Sequence, residues 1–276
     1  IVSILSRHLK NRGKKLHTFS IGSNGSTDEY YARLVANHCD TIHTHFQVDN
    51  QECLECVENI IYTTESFDIT TNRASVWQYL LAKKIKETTD IKVLFVGDGS
   101  DELTGGYLYF HNAPSATDVQ NETCRLLKEI HYFDGLRADR GIAAHGLEVR
   151  VPFLNHLFVD MYVSLPSELK VVTDTRMETW LLRESFNNNY LPDQVLWRRK
   201  EAFSDGVSSN DTSWYKLVEN HFNNNEYSCL LFNRIYISES ITHCIPTTRE
   251  SMYYRYKFKE LFGDCDTESI VPHFWL

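Results

Sequence analysis

This chain of 276 residues lacks any run of about 18 apolar residues, the length that a membrane-spanning helix requires. It also lacks a basic excess, since the formal net charge at pH 7 is −9. A protein whose main task is to bind nucleic acid needs a basic stripe, so neither a membrane nor a nucleic acid is expected as a partner. Small ligands that carry phosphate stay possible, because a local cluster of cations can act against the overall charge.

An initiator methionine is missing as well, and Ile1–Leu5 already has the pattern of an amphipathic helix. No charged segment precedes it, so a signal peptide is not indicated. We expect the chain to begin inside a domain. Its 42% hydrophobic and 24% charged residues are ordinary for a globular protein.

A regular cysteine framework is also absent. The seven cysteines are odd in number and irregularly spaced, which favours a reduced, cytoplasmic protein over one stabilised by disulfides. Cys53 and Cys56 form a C-x-x-C pair, but neither a second pair nor histidines follow at the spacing of a zinc site. We therefore predict that both cysteines pack within a helix rather than bind metal or react.

Strands and helices alternate through the first 113 residues. Three segments have strand patterns, namely Leu16–Ile21, Thr41–Val48 and Ile91–Val96. The helices predicted around them are Ile1–Asn11, Glu29–Cys39, Glu52–Thr64 and Ser75–Lys86. This alternation predicts an α/β fold with a doubly wound parallel sheet.

After Pro114 the pattern changes to helices, and no further strand is convincing. The predicted helices are Asp118–Tyr132, Asp134–His145, Asn155–Leu165 and Glu178–Asn187, and loops are predicted at Asn223–Asn225 and Ser238–Thr248. We expect one domain with an α/β lobe over about residues 1–113 and a helical lobe over about residues 114–276.

The most informative stretch is the apolar segment 93–96 and the residues after it. Asp98, Ser100, Asp101 and Glu102 follow within six residues, interleaved with glycines that allow a sharp turn and close approach to a ligand. The carboxyl end of a strand is where α/β sheets bind ligands. Carboxylates this close together need a cation such as Mg²⁺, Lys or Arg. An acidic surface turn is the alternative, but the preceding strand favours a site.

Two further segments concentrate polar groups. Residues 68–75 place hydroxyls and Arg73 before a predicted helix, which suits a receptor for carboxylate or phosphate. Helix capping by Thr71 or Asn72 with a surface arginine explains the same residues equally well. Residues 198–200 are three consecutive cations in an acidic chain, and such a group can neutralise a polyphosphate leaving group.

Two pairs of opposite charge complete the candidates. Asp134 and Arg137 lie one helical turn apart, a spacing that most often gives a surface ion pair of little energetic value. Glu148 and Arg150 lie on the same side of an extended segment. We interpret the second pair as a structural ion pair that joins the two lobes.

Three long motifs carry a resemblance to a known family. They are GDGSDELTGGYLYFHNAPS, DGLRADRGIAAHGLEVRVPFLN and WRRKEAFSDG. In this order they closely resemble the synthetase domain of glutamine-dependent asparagine synthetases, and the resemblance covers nearly the whole chain. It implies a partial asparagine synthetase domain, truncated at both ends, with an ATP-pyrophosphatase type of fold.

The resemblance also implies a reaction. In the family, ATP and Mg²⁺ activate the side-chain carboxylate of aspartate as β-aspartyl-AMP and release pyrophosphate. Ammonia, supplied from glutamine by an N-terminal glutaminase domain, attacks this intermediate and gives asparagine. The expected partners are therefore aspartate, ATP and ammonia, with a homodimer as a further expectation.

Site residues follow from the resemblance by position. Asp98 stands where the family has a glutamate that acts in formation of the intermediate and in deprotonation of ammonia. With Arg73 and Lys200, which is expected to grip the phosphates, it makes up the implied catalytic set. The remaining implied residues are Ile21, Val96, Gly97 and Tyr107 at the nucleotide, Asp101 at Mg²⁺ or phosphate, Thr70, Thr71 and Arg73 at aspartate, and Asp134, Arg137, Glu148 and Arg150 in support.

The sequence departs from the family pattern in three respects. The S-G-G-x-D-S pyrophosphate loop and the glutaminase domain are not in this chain, so we expect the isolated chain to be inactive and unable to use glutamine. The family's S-G-E-G-S-D-E is replaced by a stretch with Val96 and Asp98. Aspartate retracts the carboxylate by about 1.5 Å, and a displacement of about 1 Å at a reacting group can cost on the order of 10²-fold in rate.

Two alternatives stay open. One is a related ATP-dependent amide- or lactam-forming ligase, although the D-x-T-T-x-R segment looks like an aspartate receptor and disfavours it. The other is a catalytically degenerate domain kept for protein–protein contact, which Val96 and Asp98 would explain.

Overall fold

A computed structural model of the chain describes residues 1–208, 213–224 and 241–275. In the first part of the chain the elements are α1 (Val2–Lys10), β1 (His17–Gly22), α2 (Thr27–Cys39), β2 (Ile42–Gln47), α3 (Asn50–Glu55), α4 (Val57–Thr64), α5 (Ile69–Thr88), β3 (Val93–Phe95) and α6 (Ser100–Thr104).

The second part is mostly helical. Its elements are α7 (Ala116–Glu129), α8 (Asp134–Ala143), β4 (Glu148–Arg150), α9 (His156–Ser164), α10 (Trp180–Ser185), α11 (Asp193–Leu196), α12 (Phe203–Gly206), α13 (Trp214–Asn224), α14 (Arg249–Phe262) and α15 (Thr267–Ile270). Short 3-10 helices lie at Leu108–Asn112, Ile130–Tyr132, Pro152–Leu154 and Ser167–Leu169.

The strands pair in parallel, as an α/β fold requires. β1 pairs with β2 from His17 opposite Ile42 onward, and β3 pairs with β4 from Val93 opposite Glu148. Helices lie between the paired strands in the sequence, which is how parallel strands are connected. The α/β class is therefore confirmed, although the described strands form two separate two-stranded sheets.

β4 is a strand that the sequence analysis did not predict. It is three residues long, and two of its three side chains, Glu148 and Arg150, are charged and exposed. Such a segment has no apolar run, and a period-2 pattern needs about four residues to be recognised. Because β4 pairs with β3, the expectation that no strand follows Pro114 is wrong.

Two helix boundaries also differ from prediction. α5 begins at Ile69 rather than Ser75, because the Asp68 side chain caps it and accepts a hydrogen bond from the Thr71 backbone N–H at 2.7 Å. The predicted helix over residues 52–64 is interrupted at Cys56, which separates α3 from α4. α14 was not predicted, and a capping box of Thr248 and Ser251 begins it.

The main core surrounds α5. Trp77 and Leu80 of this helix are fully buried, and the Trp77 ring packs edge-on against Trp214 of α13 at 5.6 Å. Burial of a large apolar side chain contributes roughly 1.5–3 kcal/mol, so this cluster fixes α5 firmly. Cys53 and Cys56 belong to the same cluster, which confirms their predicted packing role.

The predicted loops are only partly described. Asn223 and Asn224 end α13, whereas Asn225 and residues 238–240 lie outside the described residues. Residues 241–248 contain neither helix nor strand. Among the described helices, none is both long and apolar enough to cross a membrane.

Candidate active site

The turn that follows β3 is built around glycine. Gly99 has a φ of +87°, in the left-handed region that other residues rarely adopt. A Cβ at this position would lie 2.4 Å from the Leu154 side chain, so packing also excludes a larger residue. The turn carries Asp98, Ser100 and Asp101 at the carboxyl end of the strand, as predicted.

A cavity of about 260 Å³ lies at this strand end, where α5, α6, α8 and α12 converge. A larger cavity of about 490 Å³ lies elsewhere, but its described lining is mostly apolar and includes no carboxylate. Convergent, partly buried ionisable groups mark the smaller cavity as the candidate active site. Its lining consists of residues 97–102 with Gln78, Tyr107, Asp134, Arg137 and Phe203.

Asp98 is held from two helices. The Gln78 amide nitrogen donates to both carboxylate oxygens, at 3.0 and 3.3 Å, and an Arg137 nitrogen lies 3.3 Å from Oδ1. The side chain of Asp98 is only 8% exposed. Burial raises the pKa of Asp98, while Arg137 and Gln78 counteract that rise by favouring the ionised form.

Glu102 and Tyr107 form a hydrogen-bonded pair, with Glu102 buried and Tyr107 half-buried. The Tyr107 hydroxyl donates to Glu102 Oε1 at 2.6 Å, and Asp134 Oδ2 lies 3.5 Å from the same hydroxyl. Burial, and then the charge of Asp134, raise the pKa of Glu102 to about 8. Near neutral pH the Glu102 carboxyl is therefore mostly protonated, so it adds little negative charge to the cavity.

Asp134 and Arg137 of α8 are not a surface pair. They lie 2.5 Å apart, and their side chains are 13% and 15% exposed. Burial alone would lower the pKa of Arg137, but Asp134 and Asp98 raise it overall, so the guanidinium stays charged. The expectation of a weak surface ion pair is wrong, because both side chains are largely buried and line the cavity, where Arg137 also contacts Asp98.

The three consecutive cations do not act as one group. Lys200 Nζ lies 2.6 Å from Asp101 Oδ2, which brings this lysine to the acidic turn. Arg198 pairs instead with Asp28 at 2.9 Å and stacks on the Tyr31 ring at 4.0 Å. Arg199, which lies between them, is exposed.

The predicted aspartate receptor lies apart from this cavity. Arg73 Nε donates to Glu250 Oε1 at 2.8 Å, and its Nη2 bonds to the other oxygen of the same carboxylate. Thr71 is buried and Thr70 is exposed. Thr70, Thr71 and Arg73 do not line the 260 Å³ cavity.

A family model described as asparagine synthase matches residues 1–121 and 112–271. The chain belongs to the asparagine synthase family. The resemblance that the three motifs carry is thereby confirmed.

Curated relatives in the family agree with this assignment. The chain is 43% identical to an asparagine synthetase [glutamine-hydrolyzing] of Gallus gallus over 279 residues, which cover 100% of the chain and 49% of that relative. The relatives of the same name in Rattus norvegicus and Homo sapiens are each 43% identical over 263 residues, covering 95% of the chain and 46% of their own length. The chain thus spans about half the length of the curated relatives it matches.

Several implied residues of this asparagine synthase family member lie at the edge of the site or away from it. Ile21 is buried in the main core, and Val96 packs on a second apolar cluster. Gly97 lines the cavity. Glu148 and Arg150 pair with each other along one strand and are more than half exposed, which gives no support to a link between lobes.

Sequence reasoning missed two residues of the site. Gln78 lies in the middle of α5 without any local motif, so only the three-dimensional contact with Asp98 reveals it. Phe203 lies inside the third motif and lines the cavity. Its place in that motif is the hint that the sequence gives for Phe203, whereas no motif includes Gln78.

Proposed function

We propose that this chain is the synthetase part of an enzyme that converts aspartate to asparagine through β-aspartyl-AMP. ATP supplies the activation, and ammonia derived from glutamine supplies the nitrogen. The observation that carries the proposal is the cavity after β3, where a buried Asp98 carboxylate and the Lys200–Asp101 pair meet in a chain of the asparagine synthase family.

The first step is attack by a carboxylate oxygen of aspartate on the α-phosphorus of ATP, with pyrophosphate as the leaving group. Two anions must approach each other, so cations have to offset their repulsion. Lys200 serves this purpose at the phosphates, and its flexible ammonium exchanges Asp101 for a phosphate oxygen. Arg137 is held by Asp134 and Asp98 and offsets part of their negative charge beside the cavity.

The second step is attack by ammonia on the acyl carbon, with AMP as the leaving group. The nitrogen loses a proton as the amide forms, so an acceptor must be near. Asp98 is proposed for this role because its carboxylate lines the cavity, where contacts with Arg137 and Gln78 oppose the rise in pKa that burial causes. Glu102 does not suit it near neutral pH, because its pKa is raised to about 8 and it already holds a proton.

Asp101 is the residue that fits a magnesium ion. Mg²⁺ in ATP-dependent sites is bound by one or two carboxylates, with phosphate oxygens and water as the other ligands. Asp101 is partly exposed beside Lys200, and no group of three His, Cys, Asp or Glu side chains suited to a metal occurs in the described part of the chain. The ion would therefore accompany ATP and offset phosphate charge.

Thr70, Thr71 and Arg73 remain the proposed aspartate receptor. Glu250 occupies two nitrogens of Arg73, so the substrate would bind through the remaining Nη1 or would displace Glu250. Ile21, Val96, Gly97 and Tyr107 remain the proposed nucleotide contacts.

A single doubly wound sheet is the proposed architecture of the complete domain. Phe19 and Phe46 of the first strand pair and Leu94 and Val149 of the second pack on the same apolar cluster, which includes Ile85. This shared packing supports the proposal that the two strand pairs are halves of one sheet, completed by a further parallel strand from outside this chain. The homodimer and the cytoplasmic location remain predictions.

The proposal is tested by aspartate-dependent release of pyrophosphate from ATP in the full-length protein, against a panel of other carboxylic acids. Aspartate should be preferred, and asparagine should form when glutamine or ammonium is added. Lys200→Met should lower the rate on the order of 10²-fold, as loss of a charge-stabilising group does, whereas the neighbouring Arg199→Met should change it less than about twofold. No preference for aspartate would favour another amide ligase, and no release with any acid would favour a degenerate domain.

A further inference from the structure

The side chain of Gln78 lies where it can orient the proposed proton acceptor. Its amide nitrogen is within hydrogen-bonding distance of both oxygens of Asp98, at 3.0 and 3.3 Å. Arg137 reaches only one of these oxygens, at 3.3 Å, and lies closer to Asp134, at 2.5 Å. A contact to one oxygen leaves the carboxylate free to turn about its own axis, whereas contacts to both oxygens limit that rotation.

The helix that carries Gln78 is rigidly held. The preceding residue, Trp77, and Leu80 two residues further on are fully buried in the main core, and Ser75 is buried one turn earlier. The amide therefore approaches Asp98 from a fixed backbone. A donor on a fixed element can hold a carboxylate to within the small tolerance that a reacting group needs.

Packing alone does not explain a glutamine at this position. The Gln78 amide oxygen is buried and has no hydrogen-bond partner among the described residues, and an unpaired buried acceptor lowers stability. Reversing the amide would turn this oxygen toward the Asp98 carboxylate, where two acceptors would repel each other. An unbranched apolar side chain of similar length, such as methionine, would fill the space without leaving a buried acceptor unpaired.

We propose that Gln78 is a positioning residue, whose amide nitrogen fixes the plane of the Asp98 carboxylate for the reaction. This inference rests on the proposed function, in which Asp98 accepts the proton. It assigns to the middle of α5 a role that no sequence motif carries. Gln78 itself does not touch the reacting atoms and acts through Asp98.

The test compares Gln78→Met and Gln78→Asn with wild type in the full-length protein. Asparagine formation from aspartate, ATP and ammonium gives kcat and the KM values, and thermal unfolding gives Tm. Gln78→Met should lower kcat about tenfold or more and change the KM for ATP less than about twofold. Tm should fall only slightly, because Asp98 loses one donor but keeps its contact with Arg137. Gln78→Asn keeps the amide but shortens its reach, so it should also lower kcat.

Gln51→Met is the matched control. Gln51 is an exposed glutamine of α3 that donates to the carboxylate of Glu55 at 2.9 Å, outside the cavity. It should leave kcat and Tm near wild type. The inference is overturned if Gln78→Met keeps kcat within about twofold of wild type, or if the KM for ATP rises by as much as kcat falls, which indicates a general structural role. If wild type forms no asparagine at all, the proposed function is wrong. If wild type and Gln78→Met form asparagine at similar rates, only the inference about Gln78 is wrong.

Discussion

Glu102 shows how burial sets the charge of the candidate site at the level of one residue. Its side chain is 2% exposed, and its hydrogen-bond donor is the Tyr107 hydroxyl. With Asp134 close by, the site would hold two carboxylates beside each other if Glu102 were ionised. Protonation of Glu102 relieves this repulsion, and so the charge of Arg137 stays directed at Asp134 and Asp98.

A dependence of stability on pH follows from this protonation. The pKa of Glu102 is about 8 in the folded chain and about 4.3 in an unfolded one. The folded state binds the extra proton between these values, so the free energy of unfolding falls as pH rises from about 4.3 to 8, by roughly 4 kcal/mol at most. Glu102→Gln should remove most of this fall, as measured by urea unfolding at pH 5, 6.5 and 8.

Glu87→Gln provides the control for this experiment. Glu87 is an exposed carboxylate of α5, outside the cavity, and its replacement should keep the wild-type dependence on pH. An unchanged dependence in Glu102→Gln would contradict the assignment of a raised pKa to Glu102.

Single residues were predictable where a motif carried them. Asp98, Asp101, Lys200, Asp134 and Arg137 lie in the three motifs, and the structure brings all of them to one cavity or its edge. The contacts of Arg73 were not predictable, because its partner comes from a helix that begins about 180 residues later in the chain and had not been predicted. Ion pairs between distant segments leave no periodic signal in the sequence.

At the level of elements, the side chains of Glu178 and Arg183 hold the segment that carries Lys200, and we call these two side chains the clamp. Glu178 is almost fully buried, and its carboxylate accepts a hydrogen bond from the Lys200 backbone N–H at 3.0 Å. Arg183 of α10 donates to the backbone oxygens of Leu196 and Arg198, at 2.6 and 2.9 Å. Both side chains therefore fix the backbone that leads to Lys200, the lysine proposed to bind phosphate.

Removal of this clamp should weaken nucleotide binding. Glu178→Ala leaves the Lys200 N–H without its acceptor and should lower the free energy of unfolding by about 1–3 kcal/mol. Because Lys200 is then less well ordered, the KM for ATP in pyrophosphate release should rise severalfold. Glu184→Ala, at an exposed position of α10, should change neither quantity, and a Glu178→Ala variant with a wild-type KM would argue against the clamp.

Elements with a long, regular pattern were predicted well, and short or capped ones were not. α1, β1, α2 and β2 agree with their predicted ranges to within about two residues at each end, as expected for periodic segments. β4 exists because β3 is there to pair with it, more than 50 residues earlier in the chain. The start of α5 depends on Asp68 as its N-terminal cap. The sequence pattern instead places Asp68 in a polar segment before the helix, because the apolar periodicity begins only near Ser75.

At the scale of the molecule, the C-terminal segment is tied to the start of α5 by buried charges. Arg73 meets Glu250 of α14 through two nitrogens, and the Trp275 backbone N–H donates to Asp68 at 2.9 Å. Glu250 is 2% exposed, so it needs its cationic partner. The proposed aspartate receptor is thus also part of the contact between distant parts of the chain.

This double use gives a prediction for the Arg73–Glu250 pair. Arg73→Met leaves a buried carboxylate unpaired and should lower the free energy of unfolding by about 3–5 kcal/mol, whereas Arg73→Met with Glu250→Met should recover much of that loss. Urea unfolding at pH 7 measures both. If Arg73 also binds aspartate, the double variant will be stable and yet have a raised KM for aspartate. A stable double variant with a normal KM would restrict Arg73 to a structural role.

The proposed single sheet makes a prediction for the whole protein. Val93 and Phe95 of β3 are 42% and 49% exposed, and Ile4 of α1 is 49% exposed, although all three are large apolar residues. Phe95 and Ile4 line the 490 Å³ cavity, and we expect the proposed further strand to cover them. Covering Phe95 should contribute roughly 1.5–3 kcal/mol to a longer form of the protein and nothing to this chain alone.

Phe95→Asp should therefore destabilise a form that includes the sequence encoded before Ile1 by at least about 2 kcal/mol, and should have a much smaller effect on residues 1–276 alone. Urea unfolding of both forms measures the difference. Leu157→Asp is the matched control, because Leu157 is 81% exposed on α9 and is not part of the cavity lining. Only a strand that covers Phe95 makes Phe95→Asp more destabilising in the longer form than in residues 1–276. Equal losses of stability in the two forms would therefore mean that β3 has no further neighbouring strand.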